Sequence, residues 1–389
     1  MSTIADRVGR ILGGCVIHHR FAPLGRLSET GPDDVTPVPA QSERWLRYYY
    51  LRRHNLLVRQ SLPFWRALRV LSPLFAARAP VQLAIRAYSS RLLRPLLSPA
   101  IALVPSAVGV SADVILCTKY GVKLFDTKMN LVWTFAGAYE YNASVREEAA
   151  RLAELSRCPV VLPLVSMGEN NGLAYFIQPL AERRVRFVSR EGPNLPLFEG
   201  LFSALGCVYK LQFHEVDFAG YVEELLRHAH PVLTQAQYDR LRMLLLPTGA
   251  DGASLGLTYT HSDLVEQNVV LYEGQPRLLD WANYSPRTFT YDLFMSLQYF
   301  CIYYGSGDSQ KLAEAVREES LTPEAQALRR CAKILAQELG VPMPELKRYL
   351  LVFLLEGFLK FDFKVLRERG PYAARLHLLA LNQLLPLLA

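Results

Sequence analysis

The sequence lacks the cysteine patterns of a disulfide scaffold or a zinc module. Its six cysteines are scattered over 389 residues, with no C-x-x-C pair and no spacing typical of metal ligands. We therefore expect reduced thiols, as in a cytosolic protein. Internal repeats and low-complexity tracts are also missing, so solenoid and fibrous architectures are excluded.

Long hydrophobic runs are missing as well. The most apolar run, Tyr349 to Leu355, is too short to span a bilayer before charged residues follow. A short apolar piece near the start is interrupted by Gly13 and Gly14 and lacks a small-residue cleavage site, so we expect no secretory signal. Because 51% of the residues are hydrophobic, the chain can bury a large core. The expected location is the cytoplasm, with membrane association left open.

Residues 1–100 contain no lysine and few acids. Fifteen arginines stand against five acids there, a net charge of +10, whereas the whole chain carries +7. Residues 101–389 therefore carry −3, and all the basic excess lies in the first hundred residues.

This basic region predicts a helical N-terminal extension after a loosely ordered arm of about 40 residues. The spacing of apolar residues from Trp45 to Leu57 suggests an amphipathic helix, and 64–71 and 81–93 suggest two more. Two roles stay open. The helices pack on the rest of the protein with arginines facing water, or residues 44–97 contact an anionic membrane or another polyanion. No nucleic-acid reader module is visible, so we expect no specific nucleic acid as a partner.

Residues 101–185 predict a small β-rich lobe. Strand candidates at 113–118, 122–126 and 131–135 are separated by turns, a helix follows at 143–156, and further strands are expected at 160–162 and 174–178. Residues 186–389 predict a larger helical lobe, in which Thr322, Pro323 and Gly340 mark the start and end of one helix.

The stretch from Tyr259 to Leu293 carries the chemistry. Two short β-prone runs flank the turn at 273–276 and predict a hairpin whose open end holds Asn268 and Asp280 side by side. Such an oxygen-rich pocket suits Mg²⁺ bound by one or two protein groups and substrate phosphates. Asp263 is then free to orient and deprotonate a hydroxyl nucleophile.

This stretch resembles the catalytic and metal-binding loops of kinase-fold phosphotransferases, and within them the aminoglycoside phosphotransferase and choline kinase-like family. The resemblance is carried by the order His261, Asp263, Asn268, by the hairpin ending in Leu279-Asp280-Trp281, and by Tyr291-Asp292-Leu293. It implies an α+β bilobal protein kinase-like fold, with a small β-rich N-lobe and a larger helical C-lobe. It also implies ATP and Mg²⁺ as cofactors.

The resemblance further implies roles for single residues. Asp263 would be the catalytic base, supported by His261, while Asn268 and Asp280 would bind Mg²⁺. Asp292 would be structural. Ser262 stands where this family commonly has glycine.

The nucleotide site departs from the family pattern. The third strand should supply a lysine, yet Thr134 stands near the expected position. Lys123 is the best substitute, through a different strand register or from a neighbouring strand, and Glu148 is its expected partner. Lys123 as an ordinary solvated residue stays open. The backbone of Tyr175–Gln178 would be the hinge that holds adenine, which makes Gln178 a cofactor-binding candidate.

The sequence thus predicts an ATP-dependent phosphotransferase, a small-molecule kinase that acts on a hydroxyl of an aminoglycoside, a sugar or a related alcohol, with a natural-product or glycan intermediate also open as the acceptor. Protein kinase activity is disfavoured because only eleven residues separate Asp280 from Asp292. The alternative is a pseudokinase scaffold that binds a protein partner or a membrane through its basic N-terminal helices.

Overall fold

The chain divides into two compact units in the computed structural model. The sheet unit consists of Met1–Arg157, Val161–Arg184 and Val270–Ala282, and the helical unit consists of Cys158–Val160, Val185–Val269 and Asn283–Ala389. The structure describes residues 4–12, 16–19, 45–51, 55–74, 79–90, 92–93, 100–105, 112–118, 120–185, 187–189, 192–246, 253–303, 310–360 and 381–387. Within these ranges, no helix is long and apolar enough to cross a membrane.

A nine-stranded antiparallel sheet forms the centre of the sheet unit. Its strands are β1 (Val16–His19), β2 (Trp45–Leu51), β3 (Leu56–Arg59), β4 (Ala100–Pro105), β5 (Val114–Cys117), β6 (Gly121–Asp126), β7 (Leu131–Ala136), β8 (Ser166–Asn170) and β9 (Leu173–Pro179). Their order across the sheet is β1-β4-β2-β3-β5-β6-β7-β9-β8. The predicted meander is confirmed as β5, β6 and β7.

Both faces of this sheet are covered by helices. The helices of the sheet unit are α1 (Ile4–Leu12), α2 (Phe64–Leu74), α3 (Ala79–Ser89) and α4 (Asn142–Glu154). One buried cluster joins α1 to Leu124, and a second joins α2 and α3 to Phe125. Because side chains alternate along a strand, these neighbours in β6 face opposite sides of the sheet.

The remaining elements are short strands and the helices of the helical unit. The strands are β10 (Arg183–Arg184), β11 (Val188–Ser189), β12 (Gly192–Pro193), β13 (His214–Asp217), β14 (Ser254–Thr260), β15 (Val269–Tyr272), β16 (Gln275–Leu278) and β17 (Ser285–Thr288). The helices are α5 (Leu195–Lys210), α6 (Phe218–Ala229), α7 (Gln235–Leu245), α8 (Tyr291–Tyr303), α9 (Gln310–Ala315), α10 (Pro323–Leu339) and α11 (Leu346–Glu356). The hairpin predicted from the turn at 273–276 is present as β15 and β16, joined to β10 in a three-stranded sheet.

Local sequence signals explain where the long helices begin and end. The Thr322 hydroxyl accepts a hydrogen bond from the Ala325 N–H at 3.2 Å, and Gly340 ends α10 with φ of +70°. Glycine adopts the left-handed conformation at this position at little cost, because glycine has no Cβ. The predicted start and end of α10 are therefore confirmed.

The predicted bilobal α+β class is confirmed, with the sheet in one unit and most helices in the other. The amphipathic helix predicted from Trp45 to Leu57 is wrong, because this segment forms strands β2 and β3. The predicted loose arm contains α1 and β1, while residues 20–40 lie outside the described residues. The other two predicted helices of this region correspond to α2 and α3.

The units divide the chain differently from the predicted segments 1–100, 101–185 and 186–389. The physical reason is strand pairing: β3 pairs with β5, so the N-terminal segment shares one sheet with the residues that follow it. The hairpin of β15 and β16, apart from its first residue Val269, also belongs to the sheet unit.

Candidate active site

A buried carboxylate holds the loop that follows β14 in the helical unit. Asp292 is inaccessible to solvent and accepts hydrogen bonds from the backbone N–H groups of His261, at 2.7 Å, and Ser262, at 2.8 Å. The Tyr209 hydroxyl donates a third, at 2.9 Å. Burial raises the pKa of Asp292, while His261 and these donors oppose the rise. Asp292 thus fixes the two residues that precede Asp263.

Ser262 has a left-handed backbone, with φ of +60°. This conformation is energetically unfavourable for a residue with a Cβ, which explains why glycine would suit the position. The serine hydroxyl lies 2.8 Å from the Thr260 hydroxyl and 2.9 Å from the Ser285 hydroxyl. These contacts offset part of the backbone cost and hold the loop against β17.

Asp263 and Asn268 are in direct contact within this loop. The Asn268 amide nitrogen donates to the Asp263 carbonyl oxygen at 2.9 Å and to its carboxylate at 3.2 Å. The Asp263 N–H lies 3.3 Å from the Nδ1 atom of His261. The three residues predicted from their order are therefore brought together, and Asp263 is half-buried.

Lys123 lies beside Thr134 in the sheet unit. The two residues are partners in the antiparallel pairing of β6 and β7, so their side chains leave the same face of the sheet, with Cβ atoms about 5 Å apart. The neighbouring strand thus presents its lysine next to the position where the family pattern expects one. Of the two explanations offered above, donation from a neighbouring strand agrees with this register.

Glu148 on α4 is close to both Lys123 and Asp280. Burial raises the pKa of Glu148 to about 7, Lys123 lowers it, and Asp280 raises it again. A hydrogen bond from the Trp281 backbone N–H also favours the charged form. No ion pair within 4.0 Å joins Lys123 to Glu148, both described residues, so the two groups interact across a gap.

Asp280 also has a left-handed backbone, with φ of +62°. The segment after it is held by Arg151, whose guanidinium donates to the carbonyl oxygens of Trp281 at 3.4 Å and Ala282 at 2.9 Å. Trp281 is fully buried and donates its indole N–H to the Leu278 carbonyl. Asp280 is thus anchored to α4, beside Glu148.

The role predicted for the backbone of Tyr175–Gln178 needs correction. These residues lie in β9, which is paired with β7 on one side and β8 on the other over Tyr175–Ile177. Gln178 pairs with Val132, and its side-chain amide donates to the Leu162 carbonyl at 3.0 Å. Because backbone groups inside a sheet are already bonded, this segment has none left for adenine.

Several residues of the site carried no usable signal in the sequence. Tyr209 reaches Asp292 across 83 positions, and Arg151 reaches Ala282 across 131. Contacts of this range depend on the folded chain and leave no local spacing pattern. Of the residues in these two contacts, Asp292 alone was recognisable from the sequence, through the Tyr291-Asp292-Leu293 motif that carries the family resemblance.

Each unit separately offers an oxygen donor of the kind that a hard cation such as Mg²⁺ takes. Asn268 uses its amide nitrogen on Asp263, which leaves its side-chain oxygen as an acceptor, and Asp280 offers a half-buried carboxylate. Oxygen donors of this kind are what Mg²⁺ takes, usually only one or two from the protein. Among the described residues, no group of three or more His, Cys, Asp or Glu side chains could hold a metal by itself.

Comparison with known proteins gives matches among solved structures alone. No family model matches the sequence, and no curated protein matches it. A structure assigned as an aminoglycoside phosphotransferase of Ralstonia eutropha is 16% identical, with a TM-score of 0.46, over 70% of this chain and 89% of that one. A macrolide 2'-phosphotransferase of Brachybacterium faecium is 13% identical, with a TM-score of 0.43, over 67% and 87%. A choline/ethanolamine kinase family protein of Mesorhizobium loti is 12% identical, with a TM-score of 0.40, over 72% and 94%.

The names of these structures are those of two phosphotransferases and of a member of a kinase family. All three TM-scores lie below 0.5 and all identities below 20%. The inference of function therefore rests on the residues described above.

Proposed function

We propose that the protein is an ATP-dependent phosphotransferase whose acceptor is a hydroxyl group of a small molecule such as an aminoglycoside, a sugar or a related alcohol. The observation that carries the proposal is the Asp263–Asn268 contact in a loop fixed by buried Asp292. The buried Asp292 holds the acid and the amide of this loop in one orientation. A loop without a chemical role would not require such a buried carboxylate.

Asp263 is the group proposed to act on the acceptor. Its carboxylate is held by Asn268 and its backbone by His261, so it can orient a hydroxyl and take its proton without first reorganising. The loop has no room to rotate away, because Asp292 binds both preceding N–H groups. These contacts support the proposed role of Asp263 as catalytic base.

Asn268 and Asp280 are the proposed ligands of Mg²⁺. Asn268 directly precedes β15, Asp280 lies two residues after the end of β16, and each offers an oxygen atom. Bound Mg²⁺ would neutralise the phosphate charge that develops during transfer. On the sheet unit, Lys123 is proposed to contact phosphate, with its ammonium group directed by the neighbouring Glu148.

The nucleotide is proposed to lie at the Lys123 end of its sheet face. Val114, Phe125 and Leu180 on that face are already buried under α2 and α3. A base stacked there would have to displace packed side chains, at a cost of several kcal/mol. The Lys123 end, beside Glu148 and Asp280, is only half-buried.

A thermal unfolding scan with and without Mg·ATP tests the nucleotide site. At about a hundred times its dissociation constant, a ligand adds about 2.7 kcal/mol to the folded state. We expect the midpoint of the wild type to rise and the rise to shrink in Asp280→Asn. Asp239→Asn, an exposed acid on α7, is the matched control and should respond like the wild type.

Phosphate transfer to a panel of small-molecule hydroxyl acceptors tests the reaction. Asp263→Asn should lower turnover by about 10²- to 10⁴-fold, which is the usual contribution of a general base to the rate. The unfolding midpoint should change little. If Mg·ATP stabilises no variant and no acceptor is phosphorylated, the phosphotransferase proposal fails and the scaffold alternative takes its place.

A further inference from the structure

The segment of residues 44–112 contains eleven arginines and no aspartate, glutamate or lysine. Solvated protein surfaces ordinarily mix both signs of charge. A segment of this length that carries only positive charges forms a surface with a strong preference for anions. Helices α2 and α3 lie at the centre of this segment.

On α2, a tryptophan points away from the protein. Ala67, Val70 and Leu71 are buried against the sheet, whereas Trp65 is 76% exposed. Trp65 lies two positions before Ala67, about 200° around the helix, so its ring is on the side opposite the core. Tryptophan is seldom so exposed on a surface that contacts only water.

The adjacent helix α3 repeats this arrangement. Ile85 is buried and Leu83, again two positions earlier, is 73% exposed. Leu92 and Leu93, just beyond the end of α3, are 84% and 47% exposed. Because α2 and α3 pack against each other, their outward faces belong to one surface.

Exposed arginines flank these apolar side chains. Arg66 lies next to Trp65, and Arg86 is three positions after Leu83. Arg69, one turn after Trp65, bonds to the turn residue Asn130 at 2.9 Å and braces α2 against the sheet. The surface, which we call the α2–α3 face, is defined by Trp65, Arg66, Leu83, Arg86, Leu92 and Leu93.

We propose that the α2–α3 face binds the surface of an anionic lipid bilayer. A bilayer interface accepts Trp and Leu side chains at the level of its headgroups and attracts flanking arginines to anionic lipids. A soluble polyanion would satisfy the arginines but would leave the apolar side chains in water. The paired exposure of both kinds of residue is what favours the lipid surface.

This inference does not depend on the proposed function. It concerns a face of the sheet unit that carries none of the residues assigned to phosphate transfer. It adds a location for the reaction: an acceptor in or near a membrane would meet an enzyme already held there.

The test is co-sedimentation of the full chain with phosphatidylcholine vesicles, with and without about a third phosphatidylserine. We expect binding to the anionic vesicles only. The double change Arg66→Glu/Arg86→Glu should lower the partition coefficient by at least about tenfold, from the lost attraction of two arginines. Trp65→Ser/Leu83→Ser should lower it by a similar factor, since the buried apolar contacts are removed.

Matched changes on the helical unit serve as controls. Arg227→Glu/Arg317→Glu makes the same charge change at exposed arginines, and Leu321→Ser removes a leucine that is 81% exposed. Both should bind like the wild type, and so should Asp263→Asn. The proposal is overturned if the controls lose binding equally, if neutral vesicles bind as well as anionic ones, or if Trp65→Ser/Leu83→Ser binds unchanged while heparin competes fully.

Discussion

Glu356 is a carboxyl group without access to solvent and with three hydrogen-bond donors around it. The Tyr221 hydroxyl donates to it at 2.8 Å, and Thr288 donates through its N–H at 2.6 Å and its hydroxyl at 2.8 Å. Burial raises its pKa to about 7, although Arg287 and the donors oppose the rise. The desolvation of the charged form outweighs its hydrogen bonds.

This raised pKa makes the stability of the fold depend on pH. Because the folded protein holds the proton more tightly than the unfolded chain, whose pKa is the ordinary 4.5, the stabilisation is complete below pH 4.5 and is lost as the pH rises through 7. Glu356→Gln removes this titration. We expect the free energy of unfolding of the variant, relative to wild type, to rise by up to about 3 kcal/mol between pH 4.5 and 8 in urea titrations.

The control for this experiment is Glu338→Gln. Glu338 is paired with Lys210 at 2.5 Å on the surface, where solvent weakens the interaction. Its difference from wild type should vary little over the same pH range. A pH-independent difference for Glu356→Gln would contradict the assignment of a raised pKa.

Ser262 offers a second prediction, on backbone strain. Ser262→Gly and Ser262→Ala both remove the hydroxyl contacts to Thr260 and Ser285, but only alanine keeps a Cβ at φ of +60°. The glycine variant should therefore be more stable than the alanine variant by about 1 kcal/mol in urea unfolding. Equal stability would show that the loop relaxes its backbone when the hydroxyl is lost.

Residue order alone predicted the loop of His261, Asp263 and Asn268 because these residues are close in sequence and their spacing is set by one turn of backbone. The hydroxyl of Ser285 and the ring of Tyr209 could not be predicted this way. Ser285 contacts Ser262, and Tyr209 contacts Asp292, only after β17 and α5 have packed, and no local pattern encodes such a contact.

At the scale of elements, strand register allows a rescue experiment. Lys123→Ala should lower phosphate transfer by about a hundredfold, as does the loss of one electrostatic stabiliser. Thr134 shares the face and the register position of Lys123, so adding Thr134→Lys should restore part of the lost rate. Turnover and the KM for ATP are measured for both.

Lys128→Ala is the control for this rescue, because Lys128 lies in the exposed turn between β6 and β7. It should leave turnover unchanged. A rescue variant with a restored unfolding midpoint but no restored rate would show that Thr134 does not face the reacting groups.

The strands of the meander could be predicted from alternation, whereas β2 could not. Tyr48, Tyr49 and Tyr50 are all buried because the sheet is covered on both faces. A strand buried on both sides loses its alternating pattern and has the same apolar run as a buried helix segment. Together with the arginines on either side, the apolar residues gave the spacing of apolar and basic positions that is typical of an amphipathic helix.

At the scale of the molecule, the first hundred residues are part of the sheet unit, so they should not be removable. A fragment of residues 101–389 loses β3, the partner of β5, and leaves Val114 and Phe125 without α2 and α3. We expect it to aggregate or to bind a hydrophobic dye, because an edge strand and apolar surface are uncovered. A monomeric fragment with a single cooperative unfolding transition would contradict this expectation.

The interleaving of the two units also constrains the order in which the protein can fold on the ribosome. The sheet unit begins at the N-terminus, yet its last segment, Val270–Ala282, is synthesised only after all of Val185–Val269. Domains that are continuous in sequence can fold in turn as they emerge. Here the segment that carries Asp280 arrives late, so the first unit to begin is completed only when translation has passed residue 282.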